Sequence, residues 1–196
     1  MSDKESKIGE KIRGLRIARG LSIAEAAQRS GIPESTIYSI ESHLVSPPLG
    51  NLVNLARVFE VPVGDFFGDG GDSPYCIVRS SDRKTVSRFN STDGTSGGYS
   101  YESLGQHKKN RHMEPFLVTL TPTGSSQIEP NQHIGEEILF VLEGQVEVRL
   151  LDRTEILNQG DSIYYDSTMP HVVLCHGNKP ATILAVIYAK EEMIIL

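Results

Sequence analysis

The 196-residue sequence predicts an α + β chain of two domains, helical at the N-terminal end and β at the C-terminal end. Three observations carry this. From Ile8 to Phe67 apolar residues recur at helical spacing in short segments. From about Cys76 onward they alternate by two, with Gly, Pro, Asn and Asp between the runs. Between the two stretches stands Gly68-Asp69-Gly70-Gly71-Asp72-Ser73-Pro74, which has nothing to bury and reads as a linker. The expected organisation is residues 1–67, a linker at 68–75, and residues 76–196.

The helical part divides into five short helices. Ile8, Ile12 and Leu15 line one face of the first, which is expected to stop at Arg19-Gly20. Ser22-Ile23-Ala24-Glu25 has the pattern of a capping box, so a second helix starts there and ends at Ser30-Gly31. After that tight turn a third helix begins near Pro33, whose fixed φ suits a first helical position, with Ile37 and Ile40 as its anchors. Leu49, Leu52, Leu55, Ala56 and Phe59 give a fourth helix after Pro47-Pro48, and Val63 to Phe67 a fifth. In the β part, Asn90 to Gly98 reads as a long polar loop. Glu137, Leu139 and Val141 fall on one face of a strand, with Ile138, Phe140 and Leu142 equally apolar on the other. Both faces therefore need cover, from a second sheet or a subunit, which suggests a homodimer. Gln145 to Leu151 is expected to be that strand's hairpin partner across Glu143-Gly144.

Composition narrows the function classes. No window approaches eighteen uninterrupted apolar residues and the first residues lack the apolar run of a secretory signal, so a cytoplasmic protein without a membrane span is expected. Cys76 and Cys175 are the only cysteines and form no CxxC pair, which argues against a disulfide scaffold or a zinc ribbon. Net charge is −6, yet residues 1–66 carry eight basic and eight acidic side chains and are neutral. Seven of those eight cations precede residue 30, so the basic character is concentrated in the first two helices.

Two short helices joined by a tight glycine-containing turn, with flanking helices completing a small core, make a helix-turn-helix unit. The stretches Ile8-Gly9-Glu10-Lys11-Ile12-Arg13-Gly14-Leu15-Arg16, Gly31-Ile32-Pro33-Glu34-Ser35-Thr36-Ile37-Tyr38-Ser39-Ile40-Glu41 and Phe59-Glu60-Val61-Pro62-Val63-Gly64-Asp65-Phe66-Phe67 resemble the lambda-repressor-like, or Xre, regulators. The resemblance implies that the third helix enters the major groove of double-stranded operator DNA. It points to Glu34, Ser35, Thr36 and Ser39 as facing bases, and to Gln28 and Arg29 as lying near phosphates. It also implies an internal Arg16–Glu41 ion pair. The third helix carries no Lys or Arg, a departure from what such helices usually offer to DNA.

The run Gln132-His133-Ile134-Gly135-Glu136-Glu137-Ile138-Leu139-Phe140-Val141-Leu142-Glu143-Gly144 resembles the first cupin motif, and Gly160-Asp161 followed by Pro170-His171 resembles the second. The resemblance implies a cupin barrel, a double-stranded β-helix or jelly roll. His133, Glu137 and His171 are its candidate metal ligands. Two imidazoles and a carboxylate suit Fe, Zn, Ni or Mn with positions left open for water or an oxygen-bearing ligand. Asn131 stands where the family usually has one more His. A metal-free pocket in which the two histidines hydrogen-bond an effector is the alternative. Tyr99, Tyr101, Asn131 and Cys175 are candidates for the pocket wall, although core packing explains the tyrosines equally well. His176 should face outward, and Lys108, Lys109, Arg111 and His112 read as a solvated basic loop.

Together these features predict a transcriptional regulator, not an enzyme, whose cupin domain binds a small-molecule effector and alters operator binding by a dimer. The rival is enzymatic. The same arrangement resembles the fosfomycin type of epoxidase, a mononuclear-iron cupin that retains a helix-turn-helix domain.

Overall fold

A computed structural model describes residues 8–45, 47–67, 73–83, 85–87, 98–122 and 129–188. Residues 68–72 of the expected linker and residues 90–97 of the expected loop lie outside these. The helical part contains α1 (Ile8–Ala18), α2 (Ile23–Ser30), α3 (Glu34–Glu41) and α4 (Leu49–Phe59). The fifth expected helix is a single 3-10 turn, Val63–Phe66, so the described residues hold four α-helices rather than five. Four residues starting behind Pro62 leave too short a run for an i to i+4 ladder, and the tighter turn suffices to bury Val63 and Phe66.

Helix ends follow local chemistry. The Glu25 N–H donates to Ser22 Oγ at 3.1 Å, and the Ser22 N–H donates to the Glu25 carboxylate at 2.8 Å, which completes the capping box. Gly31, at φ +73°, ends α2 in the left-handed conformation. Pro33 takes the N-cap position of α3 rather than its first helical position. Arg16 crosses from α1 to α3 with both ends of its fork on Glu41, at 2.6 and 2.7 Å, and a third bond to Leu21 O at 2.8 Å. Both side chains are nearly buried, so the pair is fully satisfied where it is least exposed to water.

Among the described residues the β part has nine strands in two antiparallel sheets. One has the order β1-β2-β3-β9-β4-β7 and the other β6-β5-β8. The strands are β1 (Thr85–Ser87), β2 (Tyr99–Ser103), β3 (Met113–Leu120), β4 (Glu136–Glu143), β5 (Gln145–Leu150), β6 (Arg153–Asn158), β7 (Ser162–Asp166), β8 (His171–Cys175) and β9 (Ala181–Tyr188). Among the described residues the two sheets remain separate rather than closing into a cylinder.

The expected β4–β5 hairpin does not form. β4 pairs with β7 and β9, whereas β5 pairs with β6 and β8. A single residue, Gly144 at φ +80°, separates β4 from β5, too little for a hairpin turn, and the chain passes there from one sheet to the other. A Cβ at Gly144 would stand 2.9 Å from Ala181 Cα and from Pro180 O, so the crossing needs glycine for space as well as for φ.

Leu139 and Val141 point inward into a core shared with Val118, Val146, Val148 and Ile183. That core is continuous with the helical one. Phe67 meets Phe116 with ring centroids 4.6 Å apart. Arg111 is not in a solvated loop: its Nε lies 2.8 Å from Glu114 Oε2, and both side chains pack beneath Gly64. A Cβ on Gly64 would overlap the Arg111 guanidinium, so the absence of a side chain there admits the Arg111 and Glu114 side chains to the seam. No helix among the described residues is long and apolar enough to cross a membrane.

Candidate functional site

The site is assembled around the loop that enters β4. Asn131 exchanges two 2.8 Å backbone bonds with His171, and the His133 N–H donates to Ser167 O at 2.9 Å. The Ser167 N–H donates to Gly135 O at 3.0 Å. This loop is thereby fastened to the start of β8 and to the turn after β7. Strand alternation points Glu137 inward on β4, opposite Tyr165 on β7.

The structure brings His133, Glu137 and His171 together, all three buried. Glu137 Oε2 lies 3.6 Å from His133 Nε2 and 4.0 Å from His171 Nε2, and the three candidate ligand atoms fall within 4.8 Å of one another. Ligand atoms about 2.1 Å from one ion stand roughly 3 to 3.5 Å apart, so the set is slightly wider than a bound ion would hold it.

The hydrogen bonds around it favour a cation. His133 Nδ1 faces Ile134 O at 3.2 Å, and His171 Nδ1 faces Met169 O at 2.8 Å. A carbonyl accepts only, so each Nδ1 carries its proton, and the tautomer this fixes is the one that turns an Nε2 lone pair toward Glu137. Burial lowers the His171 pKa, which favours that neutral form. His133 Nε2 is buried with no hydrogen-bond partner. Two lone pairs converging on a carboxylate is the arrangement that a divalent ion satisfies, and the carbonyl-fixed tautomers are those that ligating histidines use.

Tyr165, which the sequence reading missed, donates from its phenol to Glu137 Oε2 at 2.8 Å. Burial, with the Glu137 charge beside it, raises the pKa of that phenol and keeps it a donor. Its signal was the inward parity of Tyr165 in Ser162–Asp166, visible only once the β4–β7 pairing was known. A cavity of about 60 Å³ lies alongside, walled by Tyr99, Tyr101, Leu139 and Val173, with Asn131 and Glu129 at its polar edge. Burial pushes the Tyr99 phenol up to about 12, and Tyr99 donates to Val173 O at 3.0 Å. Cys175 does not join this lining: its thiol lies 2.7 Å from Lys179 O, and burial raises its pKa. His176 is exposed beside Glu147, as its parity implied.

On the helical side, Gln28, Arg29, Glu34 and Ser35 are exposed, whereas Thr36 and Ser39 are half-buried. The Ser39 hydroxyl is turned back onto Ser35 O at 2.8 Å. Thr36 faces a cleft of about 730 Å³ that opens between α3 and the Gln132-His133 segment. Tyr38, which the sequence reading did not single out, is 58% exposed on the same helix.

Comparison with known proteins agrees with this division. A helix-turn-helix family model matches residues 12–66, and a cupin-domain model matches residues 116–187. The chain is 29% identical over 173 residues to the HTH-type transcriptional regulator PuuR of Escherichia coli, covering 87% of this chain and 89% of that protein. The PuuR of Shigella flexneri matches to the same extent. Among solved structures, an HTH_3 family transcriptional regulator from Vibrio cholerae is similar over 95% of this chain and 97% of its own, with a TM-score of 0.61 and 24% identity. The iron(II) form of HppE is similar over 94% of this chain and 99% of its own, with a TM-score of 0.50 and 21% identity. That last likeness is one of fold alone, so it does not favour the iron-epoxidase alternative. With one family model on its helices, another on its sheets, and a regulator matched across nearly the whole length, the chain is a PuuR-like helix-turn-helix transcriptional regulator with a C-terminal cupin domain.

Proposed function

We propose that this regulator reads its operator with α3 and senses a small effector in the cupin cavity with the help of a divalent ion. Residues 1–67 form the DNA-binding unit, 68–75 the linker and 76–196 the sensor, and the protein works in the cytoplasm. Glu34, Ser35, Thr36 and Ser39 meet base edges, and Gln28 and Arg29 meet phosphates. His133, Glu137 and His171 hold the ion, Fe, Zn, Ni or Mn. An ion held there would supply Lewis acidity to an oxygen- or nitrogen-bearing effector, while Tyr165 holds the Glu137 carboxylate in place. The observation that carries the sensor reading is the buried His133 Nε2, which has no hydrogen-bond partner and faces a carboxylate.

The active species is a homodimer. Ile138, Phe140 and Leu142, 39 to 41% exposed, form an apolar row on the outer face of β4, which supports pairing of two sheet domains through that face. A twofold dimer also matches the two half-sites that such DNA-binding domains read. The test is footprinting on the DNA upstream of the coding sequence across a salt series, with metal analysis of protein purified without chelator. Protection that weakens steeply with salt, together with stoichiometric metal, is expected. No footprint at low salt overturns the DNA-binding reading, and metal-free protein that takes up no added ion overturns the metal site.

A further inference from the structure

The cavity beside Glu137 and His171 is not closed by the sheets alone. Pro48, Leu49 and Gly50, at the start of α4, form one of its walls. The N-cap of that helix is Pro48, which has no side-chain cap bond to offer. Tyr101, on β2 and 1% exposed, takes over that role. Its phenol donates to Pro47 O at 3.0 Å and accepts from the Leu49 backbone N–H, so a sheet-domain side chain caps a helix of the other domain. One position on, a Cβ at Gly50 would stand 2.4 Å from Asn131 Nδ2 and 2.6 Å from His133 Cδ2. Four residues further along the helix, Asn54 donates to Gln132 O at 3.0 Å. The Asn131-Gln132-His133 segment is therefore clasped to α4 on the side of the cavity where a candidate ligand sits.

We infer that the effector seat is shared between the domains. The first turn of α4 is part of the binding site, and the contacts of Gly50 and Tyr101 link the occupancy of the seat to the placement of the DNA-reading unit. This rests on the regulator reading and names its route. His133 cannot shift toward a bound ion without moving a ring packed directly against Gly50, and α4 packs on α2, the first helix of the helix-turn-helix. Thr36 of α3 and His133 line the same interdomain cleft. The cavity also sets the ligand class. About 60 Å³, walled mainly by apolar side chains with Glu137, His171 and Asn131 at one end, fits a molecule of few heavy atoms with one oxygen or nitrogen donor.

Cobalt(II) alone serves as the probe, on the full-length protein. DNA affinity is measured with and without saturating cobalt, and cobalt affinity with and without DNA. Linkage requires the two ratios to agree, and coupled sites typically differ by about 5- to 150-fold. Tyr101→Phe keeps the ring and removes the cap, so its ratio should fall toward one. Gly50→Ala forces α4 away from Asn131 and His133 and should change cobalt affinity of the DNA-free protein by more than about tenfold, the equivalent of roughly 1.4 kcal/mol. If Gly50→Ala does not fold, Tyr101→Phe alone decides. A wild-type ratio of one, or a Tyr101→Phe protein with the full wild-type ratio, overturns the shared seat while leaving DNA binding and metal uptake in place. A wild-type protein that takes up no cobalt overturns the metal site, one that binds no DNA overturns the DNA-binding reading, and either result overturns this inference with it.

Discussion

The two domains treat buried polarity in opposite ways. In the helical domain the buried polar side chains, Arg16, Ser30 and Glu41, all have hydrogen-bond partners. Among the described residues, every buried side-chain nitrogen or oxygen without a partner lies in the sheet domain: Arg83 Nε, Arg111 Nη2, Glu114 Oε1, His133 Nε2 and Ser167 Oγ. A helical domain whose interior is complete leaves its surface free to act on DNA. A sheet domain whose interior still has bonds to make calls for something to enter it.

The two Arg–Glu pairs give the largest tests of that contrast. Glu41→Ala strands the Arg16 guanidinium inside the helical core, and breaking a buried pair in this way costs about 3 to 5 kcal/mol. Urea denaturation followed by circular dichroism should show the loss in the helical transition. Replacing both partners by Met and Leu should restore most of it, since an apolar pair of similar volume needs no hydrogen bonds. A single Glu41→Ala that costs less than about 1 kcal/mol would mean that the helical interior is not the closed unit described above.

Arg111 and Glu114 predict the opposite behaviour. Burial outweighs the neighbouring guanidinium and raises the Glu114 pKa from 4.5 to about 7. Between those two pH values the folded protein holds a proton that the unfolded chain has released. The stability contributed by this residue is therefore full below about 4.5 and lost as pH rises through about 7, roughly 3 kcal/mol in all. Urea midpoints measured across that window should fall more steeply in the wild type than in Glu114→Gln. Identical slopes would mean that Glu114 is ionised at the seam throughout.

What could be read along the sequence was whatever one segment decides for itself. Ser22 and Glu25 are three residues apart and cap their helix wherever it packs. His133 and Glu137 sit on a strand and its entry loop at a spacing that survives folding, and His171 came with the second motif. What escaped reading depends on partners far along the chain. β4 and β5 looked like a hairpin because each alternates correctly, but pairing is decided by the strands opposite, and one residue is too short a turn. Arg111 looked solvated because its neighbours are basic, yet Gly64, in the other domain, leaves room for it to turn inward. The wall contributed by Leu49 and Gly50 was hidden in a helix assigned wholly to DNA binding.

Tyr165 is the sheet-domain residue through which the unsatisfied site can be weakened without touching a candidate ligand. Tyr165→Phe keeps the ring and removes the bond that orients Glu137. Losing such a support typically weakens a metal site by about 10- to 100-fold. Titration with cobalt(II), read by absorbance, measures this directly. The helical domain should be indifferent, so DNA affinity of the metal-free variant should match that of the metal-free wild type. If Tyr165→Phe binds cobalt as well as the wild type, the phenol fills space and orients nothing.

The smallest effect belongs to the helical surface. α3 offers no cation to DNA, so the exposed Arg29 at the end of α2 stands out as a nearby source of phosphate contact. Each phosphate neutralised contributes about −0.9 to the slope of log affinity against log salt. Arg29→Ala should therefore flatten that slope by about one and weaken all DNA sequences alike, because a phosphate contact carries no base information. Ser35→Ala should do the reverse, leaving the slope in place and lowering discrimination at one base position. If Arg29→Ala instead changes sequence preference, α2 reads bases, and the division between a surface that positions and a helix that specifies has to be redrawn within the helical domain itself.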